Sequence, residues 1–122
     1  MNKKVLVVNY KTGNIDSVVK AVKLNGFEPI YSSRVSDLNK ASKIILPGQG
    51  SYENAINNLK NTEIYPHILE KINKENIFVL GICVGMQILS SFGYESKNKT
   101  KQPGLNLVEG EVKKLKESPS KL

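Results

Sequence analysis

The sequence predicts an α/β fold in which helices flank a mainly parallel β-sheet. The first indication is two continuous aliphatic runs rich in β-branched residues, at residues 5–8 and 44–46, which are typical of strands buried on both faces. The second is that segments with apolar residues at helical spacing separate such runs, because strands that alternate with helices form parallel sheets. In these sheets the functional site lies outside the carboxyl ends of the strands.

The first half of the chain contains five predicted elements. A buried strand covers residues 4–9 and is followed by a loop at residues 10–14. A helix extends from residue 15 to about residue 25, because apolar residues recur there at helical spacing and Gly26 is a natural C-terminal stop. The other elements of this half are a strand at residues 28–32, a short helical turn at residues 35–40 and a buried strand at residues 43–46.

The second half begins with Ser51, which is a suitable N-cap for a helix at residues 52–60. The further predicted elements are helices at residues 64–74 and 84–92, a strand at residues 77–81, and strand-like runs at residues 105–108 and 111–115. We expect the last two runs to form a hairpin or one bent strand at a sheet edge. Residues 97–102 are predicted to be a polar connector.

The only cysteine, Cys83, stands between Gly81 and Gly85, after an apolar run and before a helix-compatible run. This G-x-C-x-G pattern is typical of a nucleophile elbow, a sharp strand-to-helix turn that presents a reactive side chain. Backbone N–H groups at such a turn favour the thiolate. The alternative is a buried cysteine that packs as a small hydrophobic side chain. The two flanking glycines favour the nucleophile.

A glycine-rich loop, Pro47-Gly48-Gln49-Gly50, follows an earlier predicted strand and by itself indicates only a turn. The loops at residues 10–14, 47–51 and 81–85 all follow parallel strands, so we expect them to meet at one edge of the sheet. Glycines there let backbone N–H groups point at a developing oxyanion. The N–H of Val84, the residue after the cysteine, would be the other donor.

The sequence does not reveal a base for the cysteine. The only histidine, His67, lies beside Pro66 on a predicted helix, off its apolar stripe, and we interpret it as a surface residue. No other histidine is present for a Cys-His pair. The first loop has a single glycine, Gly13, and therefore lacks the G-x-G-x-x-G dinucleotide motif, and the sequence contains no G-x-x-x-x-G-K-[ST] phosphate loop.

The composition is that of an ordinary single domain, with 122 residues of which 39% are hydrophobic and 24% charged. The net charge of +7 comes from lysines spread along the chain, and we interpret it as a solvated basic surface because no nucleic-acid motif accompanies it. No apolar run approaches a membrane-spanning length, and the first residues do not resemble a signal peptide. One cysteine excludes an internal disulfide, so we expect a cytoplasmic protein that binds neither membrane nor nucleic acid.

Four segments together resemble the class I, or triad, glutamine amidotransferases, and among them the glutaminase subunits of imidazole glycerol phosphate synthase. The resemblance covers nearly all 122 residues, and the combination of G-I-C-x-G-M-Q with P-G-x-G is its most specific part. The segments are residues 9–14 with Ser17-Val18, residues 46–50, residues 80–89, and Gly104-Leu105 with residues 109–112.

The resemblance implies a flavodoxin-like fold and a role for each matching residue. The thiol would attack the side-chain amide of L-glutamine to form a thioester, without a metal or a cofactor. The residues implied are Cys83 as the nucleophile, the backbone of Gln49 and Val84 for the oxyanion, Gln87 and Glu95 for contact with the substrate, and Gly48 and Gly50 for the shape of the pocket.

The chain departs from the family pattern at several positions. Asn9 stands where the family usually has an aspartate, and Gln49 stands where a small aliphatic residue is common. The family's late catalytic histidine and glutamate are not among these residues. We therefore interpret residues 1–122 as the N-terminal portion of a single amidotransferase domain, incomplete at its C-terminus and inactive alone. We expect the open sheet edge to make the isolated chain associate or be marginally stable.

The resemblance also implies partners. The complete enzyme would hydrolyse glutamine to glutamate and ammonia, and pass the ammonia to a (β/α)₈ cyclase subunit in a heterodimer of histidine biosynthesis. Three alternatives stay open. A paralogue that serves a sugar amidotransferase would have the same catalytic half. A cysteine-elbow hydrolase or chaperone would need an acidic residue beside the thiol, and a non-catalytic binding module would keep the fold with a silent elbow.

Overall fold

The computed structural model describes residues 1–116, which form a four-stranded and a three-stranded sheet with helices around them. In chain order the elements are β1 (Lys4–Val8), α1 (Asp16–Leu24), β2 (Glu28–Ser32), α2 (Val35–Lys40), β3 (Lys43–Leu46), α3 (Tyr52–Lys60), α4 (Tyr65–Glu75), β4 (Phe78–Gly81), α5 (Val84–Gln87), β5 (Ser90–Gly93), β6 (Gln102–Pro103) and β7 (Val108–Val112). The predicted α/β architecture is confirmed.

The main sheet is parallel throughout, with the strand order β2-β1-β3-β4. Its strands lie at the four strand segments that the sequence predicts, of which β1 and β3 are buried and the edge strands β2 and β4 are partly exposed. Because side chains alternate along a strand, each strand contributes to both faces of the sheet. The order brings the carboxyl ends of β1, β3 and β4 side by side at one edge.

The two faces of this sheet are covered unequally. One face, which includes Leu6, Ile44 and Leu46, packs against α2, α3 and α4 in the larger hydrophobic cluster. The other face, which includes Val7 and Ile45, packs against α1 in a much smaller cluster. The larger cluster therefore supplies most of the apolar burial that stabilises the fold.

The predicted helix at residues 84–92 is wrong beyond its first turn. Helix α5 ends at Gln87, and residues 90–93 form strand β5 instead. The Ser90 hydroxyl donates to the carbonyl of Gln87 at 2.7 Å, which satisfies one of the acceptors left at the helix end. Ser90 then pairs with Val108 of β7, so a contact distant in sequence overrides the local helical pattern.

The expectation of a hairpin near the C-terminal end of the sequence is also wrong, and that of one bent strand at a sheet edge holds only for residues 108–112, which form β7. Strand β7 runs parallel to β5, while β6 pairs with β5 in the antiparallel direction, which gives a separate sheet of order β6-β5-β7. The N–H groups of Leu105, Asn106 and Leu107 donate to carbonyls of residues 88–90. These residues therefore line the second sheet as a bonded loop, and residue 102 of the predicted connector belongs to β6.

In the described part of the chain, no helix has the length and apolar character needed to cross a membrane.

Candidate functional site

The three loops that follow β1, β3 and β4 meet at one edge of the main sheet, as predicted. The N–H of Ile82 donates to the carbonyl of Leu46 at 2.9 Å, which joins the end of β4 to the end of β3. The N–H of Gln49 donates to the carbonyl of Thr12 at 3.1 Å, which joins the glycine-rich loop to the first loop. Backbone hydrogen bonds thus hold the three loops together.

Cys83 lies at the sharp turn between β4 and α5, and its side chain is exposed. Its backbone has φ 54° and ψ −123°, a conformation that costs a non-glycine residue free energy and is found where the surrounding structure enforces it. The carbonyl of Cys83 accepts hydrogen bonds from the N–H groups of Met86 at 3.0 Å and Gln87 at 3.1 Å. The turn therefore presents the thiol outward at the start of a short helix.

Close backbone approach explains both glycines of the elbow. A Cβ atom at Gly85 would lie 1.9 Å from the carbonyl oxygen of Leu46, and one at Gly81 would lie 2.5 Å from the Cα atom of Met86. Both distances are far below van der Waals contact. The G-x-C-x-G spacing is thus required sterically for the strand, the turn and the neighbouring loop to pack together.

The two backbone N–H groups predicted to hold an oxyanion differ in whether they already donate a hydrogen bond. Among the described residues, the N–H of Val84 has no hydrogen-bond partner. The N–H of Gln49 already donates to Thr12. Gly48 packs against the elbow, since a Cβ atom there would be 2.6 Å from Cγ1 of Val84. Gly50 has φ 110° and open space around it, so it permits the turn without contacting the elbow.

Tyr10 is a residue of this site that the sequence analysis placed only in a loop. Its side chain is buried, and its hydroxyl donates to the carbonyl of Pro47 at the start of the glycine-rich loop. Burial raises the pKa of Tyr10 well above its usual range, so the phenol remains a donor. The signal in the sequence is a large aromatic residue just after a fully buried strand.

Gln87 and Glu95 both line a depression of about 460 Å³, which Tyr94, Lys99 and Lys113 also line and Cys83 does not. The Glu95 carboxylate accepts a hydrogen bond from the N–H of Tyr52 at 2.8 Å. Tyr52 is the first residue of α3, where a negative charge interacts favourably with the helix dipole. Glu95 therefore has a contact within the protein in addition to its exposure to the depression.

His67 is exposed on the first turn of α4, as the sequence analysis expects. The ammonium of Lys74 holds the pKa of Glu70 below its usual range, and His67 adds a smaller effect of the same sign. The environment of His67 is thus that of a charged helix surface.

An exposed cysteine at a strand-to-helix elbow, beside a glycine-rich loop at the carboxyl edge of a parallel sheet, defines a class of α/β proteins with a nucleophile elbow. Comparison with known families makes this assignment specific. The chain belongs to the SNO glutamine amidotransferase family, whose model matches residues 8–116. The resemblance to glutamine amidotransferases is confirmed.

The curated relatives include subunits named imidazole glycerol phosphate synthase subunit HisH. The protein from Lactococcus lactis is 39% identical over 114 residues, which are 93% of this chain and 54% of that protein. The protein from Thermosynechococcus vestitus is 32% identical over 115 residues, covering 94% and 53% respectively. The chain thus spans about half the length of the curated relatives it matches and corresponds to their N-terminal part.

Solved structures support the fold. A glutamine amidotransferase crystal structure aligns with a TM-score of 0.69 at 20% identity, covering 87% of this chain and 54% of the other. A putative peptidase E protein from Listeria monocytogenes aligns with a TM-score of 0.72 at 22% identity, covering 88% and 64%. The flavodoxin-like arrangement of a parallel sheet between helices is therefore confirmed.

Proposed function

We propose that this chain provides the nucleophile-bearing part of a glutaminase that releases ammonia for imidazole glycerol phosphate synthase. The observation that carries the proposal is the placement of Cys83, exposed at an elbow whose next residues, Val84 and Gly85, pack against the loop at residues 47–50. The family is one of glutamine amidotransferases. The choice of synthase rests on the names of the relatives alone, and a paralogue with another acceptor would have the same elbow.

In the proposed reaction the Cys83 thiolate attacks the side-chain carbonyl carbon of L-glutamine. The carbonyl oxygen becomes an oxyanion, which the N–H groups of Val84 and Gln49 stabilise. The carbon–nitrogen bond then breaks, and ammonia leaves with a proton donated by a general acid. Water hydrolyses the resulting thioester, which gives glutamate and restores the thiol.

Two requirements follow for this chain. The N–H of Gln49 donates to Thr12, so it has to leave that carbonyl before it can stabilise an oxyanion. The base and acid have to come from outside the described site, because the only histidine of the sequence, His67, lies on the exposed surface of α4. We assign residues 1–122 to the N-terminal portion of one amidotransferase domain, and the base to the portion that follows in the relatives.

The depression lined by Gln87 and Glu95 is the proposed glutamine subsite. Gln87 and Glu95 line it, and an amide and a carboxylate suit the polar head of an amino acid. The proposed acceptor of the ammonia is a cyclase subunit, which forms a heterodimer with the glutaminase. We place this heterodimer in the cytoplasm. No metal or cofactor has a role in this reaction.

A labelling experiment tests the proposal. The rate at which a reagent alkylates Cys83 is divided by the rate at which it alkylates free cysteine, once for a diazoketone analogue of glutamine and once for iodoacetamide. We expect this rate ratio to be at least tenfold higher for the glutamine analogue. A Cys83→Ser variant controls for other sites, with the adduct located by mass spectrometry. Equal normalised ratios for the two reagents would favour a silent elbow and a non-catalytic binding module.

Activity provides a second test. We expect negligible ammonia release from the isolated chain, because loss of triad members costs several orders of magnitude in rate. Clear glutaminase activity that disappears in Cys83→Ser would show that this chain contains its own base, and the assignment of the base to a following portion would be wrong.

A further inference from the structure

Tyr52 is a buried residue that hydrogen bonds connect to both polar residues of the proposed glutamine subsite. It is the first residue of α3, and its side chain is 0% exposed. The depression lined by Gln87 and Glu95 does not have Tyr52 in its wall. Any effect of Tyr52 on a molecule bound in the depression therefore passes through other residues.

The backbone at the start of α3 holds Glu95. The N–H of Tyr52 donates to the Glu95 carboxylate at 2.8 Å, and the N–H of Glu53 donates to the Glu95 carbonyl at 3.2 Å. Both N–H groups belong to the first turn of the helix, where they have no acceptor within the helix itself. Glu95 is an exposed residue, but it is thus held through its side chain and through its backbone.

The phenol of Tyr52 is connected to Gln87 through Ser90. The Tyr52 hydroxyl lies 3.0 Å from Oγ of Ser90, and the Ser90 hydroxyl donates to the Gln87 carbonyl at 2.7 Å. Another acceptor, the carbonyl of Phe92, is farther from the Ser90 hydroxyl, at 3.3 Å. A serine hydroxyl has one proton, so the phenol is the donor to Ser90 when that proton points at Gln87. The N–H of Gln87 donates to the carbonyl of Cys83 at 3.1 Å, which extends the connection to the elbow.

Two glycines leave space for the ring of Tyr52 in the second sheet. A Cβ atom at Gly93 would lie 2.5 Å from Cδ2 of the ring, and one at Gly104 would overlap the Tyr52 hydroxyl. Burial raises the pKa of Tyr52, so the phenol keeps the proton that it donates. The ring is therefore enclosed where α3 meets the second sheet, and its hydroxyl is held at Ser90.

We propose that Tyr52 is a positioning residue, which holds Gln87 and Glu95 in the relative placement that an amino-acid ligand of the depression requires. The inference rests on the proposed glutaminase function, because that function makes the two residues a substrate subsite. The backbone N–H of Tyr52 is common to every residue except proline, whereas the hydroxyl depends on tyrosine. Tyr52→Phe therefore removes the connection to Gln87 and keeps the packed ring.

Saturation kinetics of Cys83 alkylation test the inference in the 122-residue chain. With the diazoketone analogue of glutamine, Tyr52→Phe should raise the half-saturation concentration by about threefold to tenfold, the range for loss of one hydrogen bond. The alkylation rate with iodoacetamide should not change, because this small reagent does not need Gln87 and Glu95. A loss of stability alone would not alter the half-saturation concentration of the folded chain.

Thr62→Val is the matched control. The Thr62 hydroxyl donates to the carbonyl of Leu59 at 2.7 Å, at the other end of α3, so this variant also loses one hydroxyl hydrogen bond. Its half-saturation concentration should equal that of the original chain. Ser90→Ala interrupts the same connection as Tyr52→Phe and should raise the half-saturation concentration too. The double variant should then match Ser90→Ala alone, since residues of one network are not additive.

Amide hydrogen exchange provides a readout that needs no ligand. The amides of residues 84–96 should exchange faster in Tyr52→Phe than in Thr62→Val. If the original chain does not prefer the glutamine analogue, the proposed function fails, and hydrogen exchange alone then decides the positioning role. An unchanged half-saturation concentration in Tyr52→Phe would overturn the inference, and so would unchanged exchange where the analogue does not bind. Equal effects of Tyr52→Phe and Thr62→Val, or additive effects in the double variant, would also overturn it.

Discussion

The backbone N–H of Gln49 donates to the carbonyl oxygen of Thr12 at 3.1 Å. This bond joins the loop after β1 to the loop after β3 and occupies a donor that the proposed reaction needs. Tyr10, two residues before Thr12, holds the same glycine-rich loop through the carbonyl of Pro47. The first loop therefore controls the conformation of the second, and the predictions below begin with this connection.

Replacement of Tyr10 by phenylalanine should destabilise the chain by about 1–3 kcal/mol, because the carbonyl of Pro47 loses its donor in a buried setting. Urea denaturation measures the change. Tyr31→Phe is the matched control, since the Tyr31 hydroxyl donates to Asn9 at 2.9 Å in an exposed position. Equal losses for the two variants would show that the contact between Tyr10 and Pro47 adds nothing specific.

The stability of the chain should fall as the pH rises above about 10. Burial raises the pKa of Tyr10 and of Tyr52, so the folded chain keeps both phenolic protons at a pH where the unfolded chain loses them. The contribution of each raised pKa to the free energy of unfolding is fully present below the pKa that the phenol has in the unfolded chain. It is lost as the pH rises from there through the pKa of the folded chain, at up to about 1.4 kcal/mol per pH unit for each group. Denaturation series at several alkaline pH values should show a shallower fall for Tyr10→Phe, and an unchanged slope would contradict the assignment.

Replacement of Gly85 by alanine should destabilise the chain by more than about 3 kcal/mol, at the upper end of overpacking effects. The added Cβ would lie 1.9 Å from the backbone oxygen of Leu46, and neither backbone can move without breaking the elbow. Gly26→Ala is the comparison, since Gly26 has φ 81° and open space around it, and its cost of about 1–2 kcal/mol is conformational only. Thermal denaturation that ranks the two variants the other way would show that the elbow relaxes.

Glu95 should have a structural role that is separable from any contact with substrate. Glu95→Ala removes the acceptor for the N–H of Tyr52 and should cost about 0.5–2 kcal/mol, as loss of a helix cap does. Glu95→Gln keeps an acceptor oxygen and should restore most of that stability. If glutamine affinity also recovers in Glu95→Gln, measured by calorimetry, the carboxylate charge does not contribute to substrate binding.

The sequence was sufficient to predict the main sheet because β1 and β3 are largely apolar runs, and segments of helical periodicity separate them from the strand-like segments that form β2 and β4. The convergence of three loops followed from the parallel order alone. The second sheet could not be predicted in this way. Strand β6 has two residues, and β5 reads as the end of a helix until its pairing with β7 is known.

The candidate site shows the same division. Cys83 and its glycines form a local pattern, so the sequence locates the elbow. The role of Tyr10 depends on its burial against a loop 37 residues away, and the engagement of Gln49 by Thr12 depends on a backbone contact between two loops. Neither contact leaves a pattern in the sequence, because both depend on the tertiary arrangement.

All four described strands of the main sheet have been synthesised once Gly81 has been added to the chain, since β4 ends at that residue. During synthesis the sheet can therefore form on the ribosome before the elbow and the second sheet emerge. Phe78 and Leu80 stay exposed when the later described residues are in place, so they are open to chaperones and to other chains both during synthesis and after it.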